Sequence, residues 1–204
     1  MTPEPRRATL DVSGLPEVVF GSKSVNWWGT LSFMTIEGAT LAICAAAYLY
    51  LRRNFLTWPP PPVPLPDLLV PTVNLVLILL VIVPLAFVHR AALRRELVPV
   101  RLWLTVGAAM SLAATVLRYF ELRSLNVRWD ENAYGSVAWL VLGAHATLLI
   151  ADLLETGVFA ALSYSSKWED KHFSDAEDAA VYQYFLSLVW VPLYFLVYFS
   201  PRWL

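Results

Sequence analysis

The chain has 204 residues, is 58% hydrophobic and 15% charged, and has a mean hydropathy of +0.56. A soluble domain carries about 25% charged residues, so this composition describes an integral membrane protein. The net charge of −1 excludes the basic footprint of a nucleic-acid binder. The single cysteine, Cys44, excludes an intrachain disulfide and a cysteine metal cluster.

Residues 1–24 read as a polar tail. Pro3, Pro5, Gly14 and Pro16 oppose regular structure there, and no apolar core of a secretory signal is present. The first span is therefore expected to act as its own insertion signal. That span, 27–51, begins with Trp27 and Trp28 as an interfacial anchor and is closed by Arg52 and Arg53. Its one charge, Glu37, lies about 15 Å in from Trp27 along a helix axis, near the bilayer midplane. Ala42, Ala45, Ala46 and Ala47 offer a small-residue surface for close helix contact.

Trp58–Asp67 is a proline-rich connector that cannot support a backbone ladder. A second span is predicted over 68–88, with Pro71 in its first turn and Pro84 kinking its far end. His89–Glu96 reads as a short basic loop. A third span, 102–120, is the shortest, with Arg118 and Glu121 at its end. After a polar loop the fourth span runs over 134–162 and carries His145, Asp152 and Glu155. Another polar loop ends at Ser174, which has the sequence context of a helix cap. The fifth span, 179–199, contains Pro192. The expected fold is thus an all-α integral membrane bundle of five transmembrane helices forming one domain over 25–204.

Lys and Arg set the orientation. Arg6, Arg7, Lys23, Arg90, Arg94, Arg95, Arg101, Lys167 and Lys171 fall on one side. Arg52, Arg53, Arg118, Arg123, Arg128 and Arg202 fall on the other. The heavier side is the inner one, which puts the N-terminus inside and the C-terminus outside.

Of three histidines only His145 is within a predicted span, and positions i+3 and i+4 from it are Leu148 and Leu149. It is expected to be hydrogen-bonded to a neighbouring helix rather than to act as a metal or haem ligand. No phosphate loop, nucleophile triad or nucleotide fingerprint is present. A carboxylate inside a bilayer costs about 2.5 kcal/mol or more. Glu37 is therefore either a proton or ion relay lining a cavity, or a neutral carboxyl bonded to a facing helix or lipid. His145 and Asp152 share a helix face, with Glu155 one turn beyond; both acids are expected near the inner interface, as a solvated helix end. Arg118 and Glu121, at i and i+3, are expected to form a local ion pair at the outer interface.

Four stretches together resemble subunit III of the haem–copper oxidases. They are the tryptophan-led first span with Glu37 and its Ala47–Arg52 ending, and WPPPP followed by Pro71 and Asn74. The others are Tyr134, Gly135, Ser136, Gly143 and His145, and the closing run with Tyr182, Phe185, Val189 and Trp190. The resemblance covers about residues 25–200 and fits the short, five-helix bacterial form. The chain departs from the pattern at Leu148, Asp152, Tyr184 and Ser187, which thins the family's inner-side polar cluster and adds acid near the inner face.

The resemblance implies an accessory subunit of a respiratory cytochrome c or quinol oxidase in a bacterial inner membrane. It implies no catalytic, cofactor or metal residues in this chain, with haem and copper in subunits I and II. It also implies bound phospholipid, with Glu37 and His145 as buried polar or lipid-cleft residues. Asp152, Glu155, Arg118 and Glu121 are secondary polar candidates. Two alternatives remain: the same role in a nitric-oxide reductase, and a small proton or ion channel or transporter using Glu37.

Overall fold

A computed structural model describes Gly14 and residues 18–203, so most of the expected tail over 1–24 lies outside the described residues. The described residues form helices joined by short connections: α1 (Val25–Arg53), α2 (Leu69–Leu80), α3 (Ile82–Leu93), α4 (Leu97–Arg123), α5 (Ala133–Ser163), α6 (Lys171–Tyr194) and α7 (Ser200–Trp203). A π-helical turn, Phe195–Phe199, joins α6 to α7. By length and apolarity these make five spans: Val25–Arg53, Leu69–Leu93, Leu97–Arg123, Ala133–Ser163 and Lys171–Trp203.

Several local details differ from the sequence expectation. His89–Leu93 is helical, so the basic loop shrinks to Arg94–Glu96. The third span is 27 residues long; the shortest is Leu69–Leu93, with 25. Ser174 is not a cap. It sits in the first turns of α6, which starts at Lys171, and its hydroxyl donates to the Val19 carbonyl at 2.9 Å. Pro84 does interrupt its helix, but the break falls a turn earlier, at Val81. Proline has no N–H and its ring crowds the carbonyl four residues back, so the distortion appears N-terminal to the proline itself.

Helix starts are fixed locally. Ser24 caps α1 by accepting from the Asn26 N–H, and Asn132 caps α5 by accepting from Gly135 N–H at 2.9 Å. The loop before α5 folds onto its first turn: Ser136 and the Trp139 indole donate to the carbonyls of Trp129 and Val127. Gly135 permits this approach, since a Cβ there would lie 2.2 Å from the Arg128 carbonyl oxygen.

Helices α5 and α6 form the centre. α5 packs against α1, α4 and α6, while α6 packs against α1, α2, α3 and α5. α1 is peripheral: 11% of its apolar window is buried, against 50% for the last span. Its inward stripe is Leu41, Cys44 and Tyr48, spaced for one helix face. Of the alanines, Ala45 packs against the core, while Ala42 and Ala46 point outward. The proline-rich connector is anchored by Trp58, whose indole donates to the Tyr48 hydroxyl at 2.9 Å and packs edge-on against Tyr48 and Tyr134. The backbone N–H of Asp67 donates to the Ser124 carbonyl at 2.9 Å, and Arg202 reaches the Pro66 carbonyl.

Candidate functional site

Two polar clusters are built into the bundle, at opposite ends. The first joins α2, α4, α5 and α6. Arg118 and Glu121 do pair, at 2.8 Å, but with side-chain exposures of 2% and 0% they are not an interfacial surface pair. Three helices crowd over them, and the surroundings are arranged to satisfy the acid. Glu121 also accepts from the Asn74 amide at 2.7 Å and the Tyr198 hydroxyl at 3.1 Å. The Arg118 guanidinium lies 3.9 Å from the centroid of the Trp190 ring and approaches His145 Nδ1 at 3.1 Å.

Those contacts fix the state of His145. A guanidinium can only donate, so Nδ1 accepts; Nε2 then carries the proton and donates to the Leu186 carbonyl at 3.0 Å. Both nitrogens of this neutral imidazole are committed to holding α4, α5 and α6 together. The ring also stacks obliquely on Trp190 at 4.6 Å. His145 thus bonds to both neighbouring helices, α4 and α6.

The second cluster lies between α1, α5 and α6. Glu37 faces α6: its carboxylate accepts from the Tyr182 hydroxyl at 2.7 Å. Asp152 is not on a solvated helix end. It is 1% exposed, and the Gln183 amide, turned nitrogen-inward, donates to both its carboxylate oxygens. The reason is length: α5 runs 11 residues beyond Asp152, about 16 Å, which sinks it in the span. Glu155, three residues further on, is exposed. Glu37, Asp152, Glu155, Asp178 and Tyr182 together line one cavity of about 280 Å³.

His145 and Asp152 share α5, yet His145 belongs to the first cluster and Asp152 to the second. The sequence reading missed Asp178, Gln183 and Tyr198. Spacing offered one clue, since Asp178 and Tyr182 stand at i and i+4 on one helix face. Ser187 at the departed position still has a use, donating to the Ile78 carbonyl at 3.1 Å and tying α6 to α2. Among the described residues no three histidine, cysteine, aspartate or glutamate side chains converge as a metal-ligand set.

Comparison with known proteins places this geometry in context. A family model described as cytochrome c oxidase subunit III matches residues 40–202. A cytochrome c oxidase subunit 3 from Synechocystis sp. is 27% identical over 190 residues, covering 87% of this chain and 77% of the relative. One from Thermostichus vulcanus is 24% identical, covering 85% and 87%. The subunit 3 of Petromyzon marinus is 29% identical over 146 residues, covering 70% of this chain and 55% of that protein.

Proposed function

This chain belongs to the cytochrome c oxidase subunit III family, and we propose that it stabilises the catalytic subunit I of a bacterial haem–copper oxidase during electron transfer to oxygen. It is a multi-pass membrane protein and an accessory subunit of a haem–copper oxidase. In the proposed arrangement it sits in the bacterial inner membrane with its N-terminus inside, contacts subunits I and II, and holds phospholipid along α1. Haem and copper reside in the partner subunits. Residues 25–204 act as one helical unit.

The observation that carries this reading is the use of His145. Its two nitrogens are spent on Arg118 and the Leu186 carbonyl, a bundle-holding role. The same holds for Arg118 and Glu121, which are spent on each other and on Asn74, Tyr198 and Trp190. These residues brace helices. Glu37, bonded to Tyr182, is a positioning residue at the edge of the lipid-facing α1.

Affinity purification from native membranes in mild detergent tests the proposal. A histidine-rich multi-span chain with haem absorbance should co-purify, and a colourless preparation without such a chain would overturn it. Oxygen and nitric-oxide consumption by the purified complex then separates an oxidase from a nitric-oxide reductase.

One observation favours a second reading, a small ion channel or transporter: Glu37, Asp152 and Glu155 share a cavity. That reading requires ion flux through the pure chain in liposomes, abolished by Glu37→Gln.

A further inference from the structure

The cavity between α1, α5 and α6 has a charge imbalance that the accessory role does not use. Four carboxyl groups, Glu37, Asp152, Glu155 and Asp178, line it, and no lysine, arginine or histidine does. Most acids in this part of the bundle have a partner. Asp175 accepts from the Asn26 amide at 3.0 Å, Glu177 lies 3.7 Å from His89, Asp152 has Gln183 and Glu37 has Tyr182. Among the described residues Asp178 has none: it is 5% exposed, and both of its carboxylate oxygens are buried without a hydrogen-bond partner. Buried polar groups are almost always satisfied, and a buried carboxylate without a donor is expensive. Such a group calls for a donor from outside the described helices.

We propose that this cavity is a binding site for a primary alkylammonium group, held by Asp178 and Asp152 with Glu37 and Glu155 at its edge. Three features select this chemistry. The described side chains do not converge as metal ligands do, and about 280 Å³ is far larger than a bare ion needs. An ammonium head supplies three N–H donors and a positive charge, where Asp178 lacks a donor and no cationic side chain lines the cavity. Phe33, Ala151 and Ala179 line the same cavity and give an alkyl stem an apolar wall. Phe33 is 65% exposed and Glu155 is exposed, so the site opens toward the lipid-facing surface. The head can therefore come from an amine-bearing phospholipid or from a free amine.

The test uses the full chain with whatever subunits accompany it, in nanodiscs of phosphatidylglycerol alone or mixed with phosphatidylethanolamine. Binding of 1,5-diaminopentane is measured by calorimetric titration, and retained lipid by native mass spectrometry. Wild type should bind the diamine in phosphatidylglycerol. The double substitution Asp152→Asn and Asp178→Asn should weaken that binding about tenfold or more, since charge-assisted bonds are lost. Choline, which has no N–H donor, should not compete. Protection of the site by phosphatidylethanolamine identifies the lipid as the source, and equal diamine binding in both membranes identifies a free amine.

Asp178→Asn removes an uncompensated buried acid and Asp152→Asn keeps an amide oxygen for Gln183, so folding should stay intact, which an unchanged thermal unfolding midpoint checks. Should the double variant fail to fold, Glu155→Gln at the exposed rim is the substitute and should also weaken binding. Wild type that takes up neither diamine nor phosphatidylethanolamine, or a folded variant that binds as wild type does, overturns the proposal. The readout is amine binding, so the result stands apart from any oxidase assignment.

Discussion

Arg118 ties three helices together. Its guanidinium, 2% exposed, meets Glu121, His145 and the face of Trp190, and so belongs to α4, α5 and α6 at once. A buried ion pair adds little net stability, but removing one partner strands the other charge at a cost of about 3–5 kcal/mol. Arg118→Met should therefore destabilise the chain by about that amount, and adding Glu121→Gln should recover part of it. Reversible unfolding of each variant in mixed micelles measures both effects; additive losses would refute the coupling. Glu37 is placed differently, since it has one partner, Tyr182, and lies at the bundle's edge. An amide oxygen can accept the same bond, so Glu37→Gln should leave assembly intact while shortening the active lifetime of the oxidase. Turnover-inactivation curves of the purified complex decide this, and an unchanged curve removes Glu37 from a supporting role.

At the scale of elements, the bundle is organised by how each helix begins and where it is interrupted. The start of α5 is the tightest such point: the Asn132 cap, the Trp139 bond to the Val127 carbonyl and the absence of a side chain at Gly135 act together. Gly135→Ala would force a Cβ into the Arg128 carbonyl oxygen, so the loop over 124–132 must shift. The expected loss is about 1–3 kcal/mol, read as a lowered unfolding midpoint. Gly143→Ala, where nothing lies within contact of an added Cβ, is the neutral control. The break at Val81 has a similar logic. Pro84 divides the second span into α2 and α3, which lets α2 meet α4 and α6 through Asn74 and Ile78 while α3 turns to pack on α4 and α6.

For the whole molecule, the polar groups divide between two ends of the span. The Arg118 cluster lies at the end where α4 finishes and α5 starts, and the acidic cavity lies toward the end where α1 and α6 start. In the proposed orientation, with the N-terminus inside, the acidic cavity would face the inner side and the ion-pair network the outer one. Cysteine labelling in intact cells tests this orientation, because the native Cys44 is buried and should give little background. An impermeant maleimide should label Glu131→Cys, in the loop before α5, and spare Ser165→Cys, in the loop after it. The reverse pattern would invert the topology.

Five spans and their order were legible in the chain itself, because the bilayer imposes length and apolarity on each segment independently of its neighbours. The intramembrane cost of charge likewise marked Glu37 as a residue with something to explain, whereas Asp152, Arg118 and Glu121 were expected at the interfaces. The partners that explain them were not legible. Glu37 meets Tyr182 across 145 positions, Asn26 meets Asp175 across 149, and Asn74 meets Glu121 across 47. Such pairs depend on which helix faces which, and on how far each helix runs past its apolar core. Helical overrun is what sank Asp152 below the interface, and helix crowding is what buried the Arg118–Glu121 pair. The sequence by itself determined a five-span membrane subunit with costly polar residues; only tertiary packing decided that one set braces the helices and the other lines a cavity short of positive charge.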